Sequence, residues 1–351
     1  MGKTSSNGVL NLLAGEIVEV RSAEEILATL DAGGKLNAMP FMPEMLQFCG
    51  KRFHVSKRAD KTCDNIKPWN MRRVKNAVHL ADVRCDGQSH AQCDAGCLIF
   101  WNEAWLKRVE SEFLPESQLG GRSALPVAEV PISQLPAAVC TVESLLKASR
   151  RAPDPSTGEE VYMCQATELR EFTSDLPWWN LWQYVRDVRS RNLSRGIGNS
   201  RSEKFLEILL GWLDVFRAIL IEVFNKFQKV RKGVQYPHIQ GSLTTTTAIK
   251  LNLQPGEFVQ VRSRQEILAT LDQRNRNRGL LFDSEMIRYC DGTYRVHKRV
   301  HQIVDEKTGK VLRMKSPCII LEGSACASEY HRLCPRGIYH YWREDWLRRI
   351  E

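Results

Sequence analysis

The chain lacks the signatures that announce a common chemistry. There is no G-x-S-x-G, no H-E-x-x-H, no Walker A loop and no dinucleotide fingerprint, and Gly2-Lys3-Thr4 lacks the preceding glycine of a phosphate loop. Nothing in the pattern favours an enzyme. Eleven cysteines in 351 residues are too sparse, and odd in number, for a disulfide scaffold. Residues 1–15 carry a single lysine, and the short stretch V-L-N-L-L-A meets Glu16 at once, so a signal-peptide core is missing. The opening M-G-K-T-S-S fits the myristoylation pattern by letter only. Long uncharged apolar runs are scarce too: four charges fall within residues 205–224, which argues against a transmembrane span. The expectation is a cytoplasmic protein whose reduced thiols are available to metal.

What is present is the same module twice. Residues 15–110 and 256–351 align without a gap at a constant offset, and about a third of the positions are identical. Both copies open on G-E-x-V-x-V-R-S and E-I-L-A-T-L-D and close on W-x-E-x-W-L-x-R-x-E. Two diverged copies in one chain separate what both kept from what one alone has.

Among reactive side chains both kept Cys49/Cys290, Cys85/Cys326, His90/His331 and Cys93/Cys334. Three cysteines and a histidine match the four tetrahedral ligands that zinc prefers, and the C-x4-H-x2-C knuckle can set three of them on one tight turn. The competing reading is small buried thiols beside a core histidine. Module one adds Cys63 and Cys97, where module two has Val304 and Ile338. Cys63, Cys85, Cys93 and Cys97 are therefore the set an iron–sulfur centre would use, the alternative to zinc. Cys318 is a further candidate thiol in module two.

Two resemblances bear on these residues. Cys85-Asp86-Gly87-Gln88-Ser89-His90 resembles the CDGSH iron–sulfur proteins over six residues, but an extra residue stands between glycine and histidine and that family's upstream C-x-C pair is missing, so the family is not identified. The wording C-I-I-L-E-G-S and I-Y-H-Y-W-R-E-D-W-L resembles bacterial proteins of unknown function across both modules. That likeness implies a bacterial cytosolic origin and no activity.

An apolar fraction of 43% and a charged fraction of 26% are ordinary for a globular protein. The patterning predicts an α+β protein in which two small SH3-like β-barrel modules flank a helical middle domain. The units are a tail (1–14), module one (15–110), a Pro/Gly linker (111–140), a helical domain (141–235), a second linker (236–255) and module two (256–351). Trp101/Trp105 and Trp342/Trp346, at i, i+4, predict a short closing helix in each module. Pro177 predicts the entry of a Trp-rich helix. A long helix is predicted over 201–232, with an apolar face too broad to go uncovered, so a protein partner or a second copy of the chain is expected there.

The net charge of +9 is uneven, +5 in module two against +1 in module one. Arg295, His297, Arg299 and His301 alternate along one predicted strand of module two, a stripe suited to phosphate or a polyanion, with a solvated strand face as the plainer reading. The sequence thus predicts a metal-binding tandem-module protein acting as a binding or scaffolding component. A redox or catalytic metal site in module one and nucleic-acid binding through module two are the alternatives.

Overall fold

A computed structural model of the protein describes residues 9–66, 70–109, 140–196, 200–246 and 248–350. The Pro/Gly linker, except Cys140, and the myristoylation pattern lie outside the described residues.

In β1 (Ile17–Val20) the period-two pattern buries Val18 and Val20 completely. Ser22 then opens α1 (Ala23–Leu27) with a capping box: its hydroxyl accepts from Glu25 N at 3.2 Å, and the Glu25 carboxylate accepts from Ser22 N at 3.0 Å. A small hairpin of β2 (Lys35–Leu36) and β3 (Met39–Pro40) leads into a 3₁₀ turn over Pro43–Phe48. Then follow β4 (Arg52–Arg58), β5 (Lys61–Asp64), β6 (Asn70–Arg73), β7 (Ala77–Leu80), β8 (Trp101–Asn102) and β9 (Leu106–Arg108). The main sheet is antiparallel in the order β8-β7-β4-β1-β9.

The middle segment supplies α2 (Val142–Ala148), β10 (Arg150–Arg151), β11 (Val161–Tyr162), β12 (Ser174–Leu176), α3 (Trp182–Arg189) and α4 (Arg201–Val230). Its first half shares a core with module one: Cys140, Leu145 and Leu169 pack in the cluster of Val18, Val20 and Trp101, and β12 adds to a sheet with β6 and β5. Module two repeats the first with β13 (Phe258–Val261), α5 (Arg264–Leu268), β14 (Arg276–Asn277), β15 (Leu280–Leu281), β16 (Thr293–Val304), β17 (Val311–Leu321) and β18 (Leu347–Arg349), ordered β17-β16-β13-β18 with a separate β14-β15 hairpin. The architecture is mixed α+β, with antiparallel sheets whose strand order is linear among the described residues.

The copies agree down to single contacts. Phe41 meets Trp105 edge-on at 5.2 Å and Phe282 meets Trp346 at 5.3 Å, and each Trp indole donates to a threonine, Thr29 or Thr270. Buried Glu103 accepts from the amides of Leu10, Asn11 and Leu12 and pairs with Arg58; Glu344 does the same with Leu251, Asn252, Leu253 and Arg299. The equivalence of contacts thus extends upstream of Gly15 and Gly256, to Leu10 and Leu251.

Two sequence expectations are corrected. The closing helix of each module is a three-residue 3₁₀ turn, Glu103–Trp105 or Glu344–Trp346, that releases the chain into β9 or β18. The requirement to pair with β1 or β13 overrides the i, i+4 spacing of the tryptophans, which are buried nonetheless. The Trp-rich helix begins at Trp182, after an extended and turn segment, and leaves Trp179 and Trp182 exposed.

The modules meet through a face that each presents to the other. Cys93 Sγ accepts from Val304 N at 3.3 Å, and Cys334 Sγ accepts from Cys63 N at 3.1 Å; Val304 is the counterpart of Cys63, and Cys334 that of Cys93. Asn65 donates to Glu306, its own counterpart, at 2.7 Å. A residue facing its own equivalent marks a pseudo-twofold axis, so the contact is isologous within one chain.

Candidate metal centre

The knuckle leaves β7 or β17 and folds back on itself. His90 N and Cys93 N both donate to Gly87 O, at 3.0 and 3.2 Å, and Gly87 has φ +75°. A Cβ there would lie 2.2 Å from Cys93 O, so glycine is required. In module two the position is Ser328, also at positive φ, whose hydroxyl donates to Cys334 O at 2.6 Å. Between histidine and cysteine both copies hold two successive non-glycine residues at positive φ, Ala91-Gln92 and Arg332-Leu333. Each costs on the order of 1–3 kcal/mol, which the turn's internal hydrogen bonds must offset.

Each turn brings its histidine and first cysteine against a glutamate from the 3₁₀ turn that precedes β4 or β16. The ligand atoms of Glu44, Cys85 and His90 lie within 4.8 Å of one another, and so do those of Glu285, Cys326 and His331. Glu44 Oε1 accepts from Ser89 N at 2.8 Å and lies 2.7 Å from His90 Nδ1; Glu285 Oε1 accepts from Tyr330 N at 2.6 Å. The second oxygens, Glu44 Oε2 and Glu285 Oε2, are buried and make no hydrogen bond among the described residues. A buried carboxylate oxygen left unpaired in this way is open to a cation or a water.

The far ring nitrogens are occupied. His90 Nε2 lies 2.9 Å from Met163 O, and His331 Nε2 lies 3.4 Å from Asp283, leaving Nδ1 toward the site in both copies. An imidazole fixed by an acceptor behind it is the arrangement of a metal-bound histidine. Electrostatics differ between copies. Burial would raise the Glu44 carboxyl, but the His90 hydrogen bond holds it below the usual range; burial prevails at Glu285 and pushes it up. At His331 burial is outweighed by the hydrogen bonds to Asp283 and Cys326, and the imidazole is held well above its usual value.

The other thiols go elsewhere. Cys49 and Cys290 end the 3₁₀ turns and pack against the module cores, apart from the ligand groups. Cys93 and Cys334 face the opposite module. Cys63 donates to Cys334, which holds the Cys63 thiol well up. Cys318 contacts Arg343 Nη1 at 3.2 Å. Burial raises Cys85, Cys93, Cys97 (to about 12) and Cys164 (to about 11), so these are protonated thiols at neutral pH and a bound metal must displace the proton.

The chain matches no family model, no curated protein and no solved structure. The site's own chemistry carries the functional reading.

Glu44 and Glu285 stand in the sequence as an identical Glu-Met pair at equivalent positions, outside the Cys/His pattern. Two register shifts interrupt β16 after Val296 and after Val300. Arg299 turns to Leu253 O and Glu344, the His301 amide donates to Asp94, and His297 lies beside the Tyr339 ring. Arg295, His297 and His301 are exposed.

Proposed function

We propose that the chain is a metal-binding tandem-module protein in which the groups Glu44/Cys85/His90 and Glu285/Cys326/His331 each hold a divalent ion, zinc first, staple small SH3-like modules and so support a scaffolding role. The observation that carries this is the repeated group itself, with its orphaned carboxylate oxygen and its oriented imidazole in both copies. One thiolate, one imidazole and one carboxylate are three borderline donors to which zinc is suited, with a fourth position left for water or another ligand. All eleven cysteines are free thiols, which supports a reducing, cytoplasmic setting.

The partner surface is α4. Phe205, Phe216 and Phe227 are 69%, 60% and 59% exposed, and Leu213 and Leu220 lie uncovered between them. So long an apolar face supports docking of a protein partner or of a second copy. No described helix is long and apolar enough to cross a membrane. An anionic ligand at module two rests on Arg295 and His297 and on the charge excess there.

Cobalt(II) tests the metal reading in the full chain, because thiolate ligation produces an intense charge-transfer band. Two equivalents should titrate, with Cys85→Ser and Cys326→Ser each removing one. A titration without a thiolate band, or one unchanged in both variants, overturns the reading.

A further inference from the structure

A cavity of about 410 Å³ lies beside the site, lined by residues of both modules and of the middle segment. Four thiols line it: Cys85, Cys93 and Cys97 from the knuckle of module one and Cys164 from the middle segment. Sequence spacing pointed to Cys63 as the fourth member, but Cys63 is turned to Cys334, and Cys164 stands on the cavity in its place. The remaining wall is largely apolar, with Leu98, Phe100, Ile303 and Tyr341 among its side chains.

We infer that this cavity is the seat of a polynuclear iron–sulfur cluster ligated by Cys85, Cys93, Cys97 and Cys164, a centre that module two cannot build. The inference rests on the proposed reading of Cys85 as a metal ligand and deepens it: the metal held at Cys85 in module one belongs to a cluster, while the group of module two keeps a single ion.

Three observations support a cluster. First, a single ion with Zn–S bonds of about 2.3 Å needs its ligands gathered tightly around one point. The groups that meet that condition among the described residues are the two Glu/Cys/His sets, and the four thiols are not among them. Thiols spread around the wall of one cavity instead suit a body several ångströms across whose metal atoms each take one sulfur.

Second, the cavity wall carries charge of both signs, Asp305 and Glu306 beside Lys307 and Arg336, and a hydrogen-bond donor to one of the thiols. Arg336 is 3% exposed, lines the space and donates to Cys63 O, while its Nη2 pairs with Glu306 at 2.8 Å; Lys307 lines the same wall. The amide of Val304 donates to Cys93 Sγ, a hydrogen bond of the kind that stabilises cluster thiolates. Third, the set is confined to module one. At the position of Cys97 module two has Ile338, which lines this same cavity, and Cys334 is committed to Cys63.

The experiment is anaerobic reconstitution of the full chain with ferrous iron, inorganic sulfide and thiol reductant, with iron, acid-labile sulfide and zinc measured on the desalted protein. A brown protein with iron and sulfide in equal amounts, about two or more of each per chain, is expected. Cys97→Ser and Cys164→Ser should each lower iron at least about fivefold, while Cys63→Ser and Cys326→Ser keep the colour. Circular dichroism of each variant separates cluster loss from unfolding. A colourless protein with one zinc per Glu/Cys/His group and no sulfide overturns the cluster but leaves the proposed function standing; no metal of either kind sinks both. Full iron and sulfide in a folded Cys97→Ser/Cys164→Ser double variant also overturns it.

Discussion

Glu44 does two things at once. Its Oε1 holds the Ser89 amide of the knuckle, a structural task, and its unpaired Oε2 is the atom the proposed metal would take. Glutamine keeps an acceptor and removes the charge, so Glu44→Gln and Glu285→Gln separate the tasks. Each variant should stay folded and lose about 10–100-fold in affinity for one metal equivalent, measured by competition with a chromogenic chelator. Unchanged affinity would make the glutamate a turn cap alone. Thiol burial sets the pH dependence of uptake. With Cys85 pushed well above its ordinary value, each bound thiolate releases a proton across pH 6–8, and apparent affinity should rise about tenfold per pH unit per thiolate.

Two buried histidines, His79 and His340, should contribute to the acid limit of the fold. Burial holds His79 and His340 down at about 4. Both are neutral in the folded state, so their contribution is fully present above the unfolded value near 6.5 and is lost as pH falls toward 4. Each accounts for up to about 3 kcal/mol over that window. The counterpart of His79 is Ile320. His79→Ile should therefore be nearly neutral at pH 7 and should flatten the fall of melting temperature between pH 6.5 and 4; an identical acid profile would place the sensitivity elsewhere.

At the scale of elements, α4 shows how far periodicity reaches. The sequence places a helix over 201–232 and the structure forms Arg201–Val230, capped by Ser200 and Glu203 as the S-x-x-E pattern implies. If its apolar face docks a second copy, Phe216→Glu/Phe224→Glu should convert a dimer to a monomer in light scattering with the modules intact. A wild-type chain that is monomeric at high concentration would leave the face to a different protein. The hairpin at Asp305–Lys310 was equally legible, because Gly309 supplies the positive φ of its turn. The bulges of β16 were not, since nothing in T-Y-R-V-H-K-R-V marks where the register slips. The tryptophan spacing misled for a related reason: two residues four apart can be buried from a strand and a 3₁₀ turn as well as from a helix.

At the scale of the molecule, the constant offset between copies revealed the duplication but not the face they share. Cys93 and Cys334 were kept in both copies, which reads equally as shared ligation or as shared contact, and in the fold each reaches across to the other module. Only the folded chain separates these cases. The assembly is further tied by Lys61, 1% exposed, which bonds Asp187 of the middle segment at 2.5 Å and Arg332 O of module two at 2.7 Å. Lys61→Met leaves Asp187 buried without its cation and should cost about 3–5 kcal/mol in chemical denaturation. A loss under about 1 kcal/mol would mean that water reaches the pair and that the modules are held by their apolar contacts.

The central claim is that the repeated Glu/Cys/His groups bind metal. Elemental analysis of the full chain, purified without added metal or chelator, beside the Cys85→Ser/Cys326→Ser double variant, tests it most directly. Bound metal in the wild type and near-complete loss in a folded double variant is the predicted result. Equal metal in both proteins, or none in either, would contradict it.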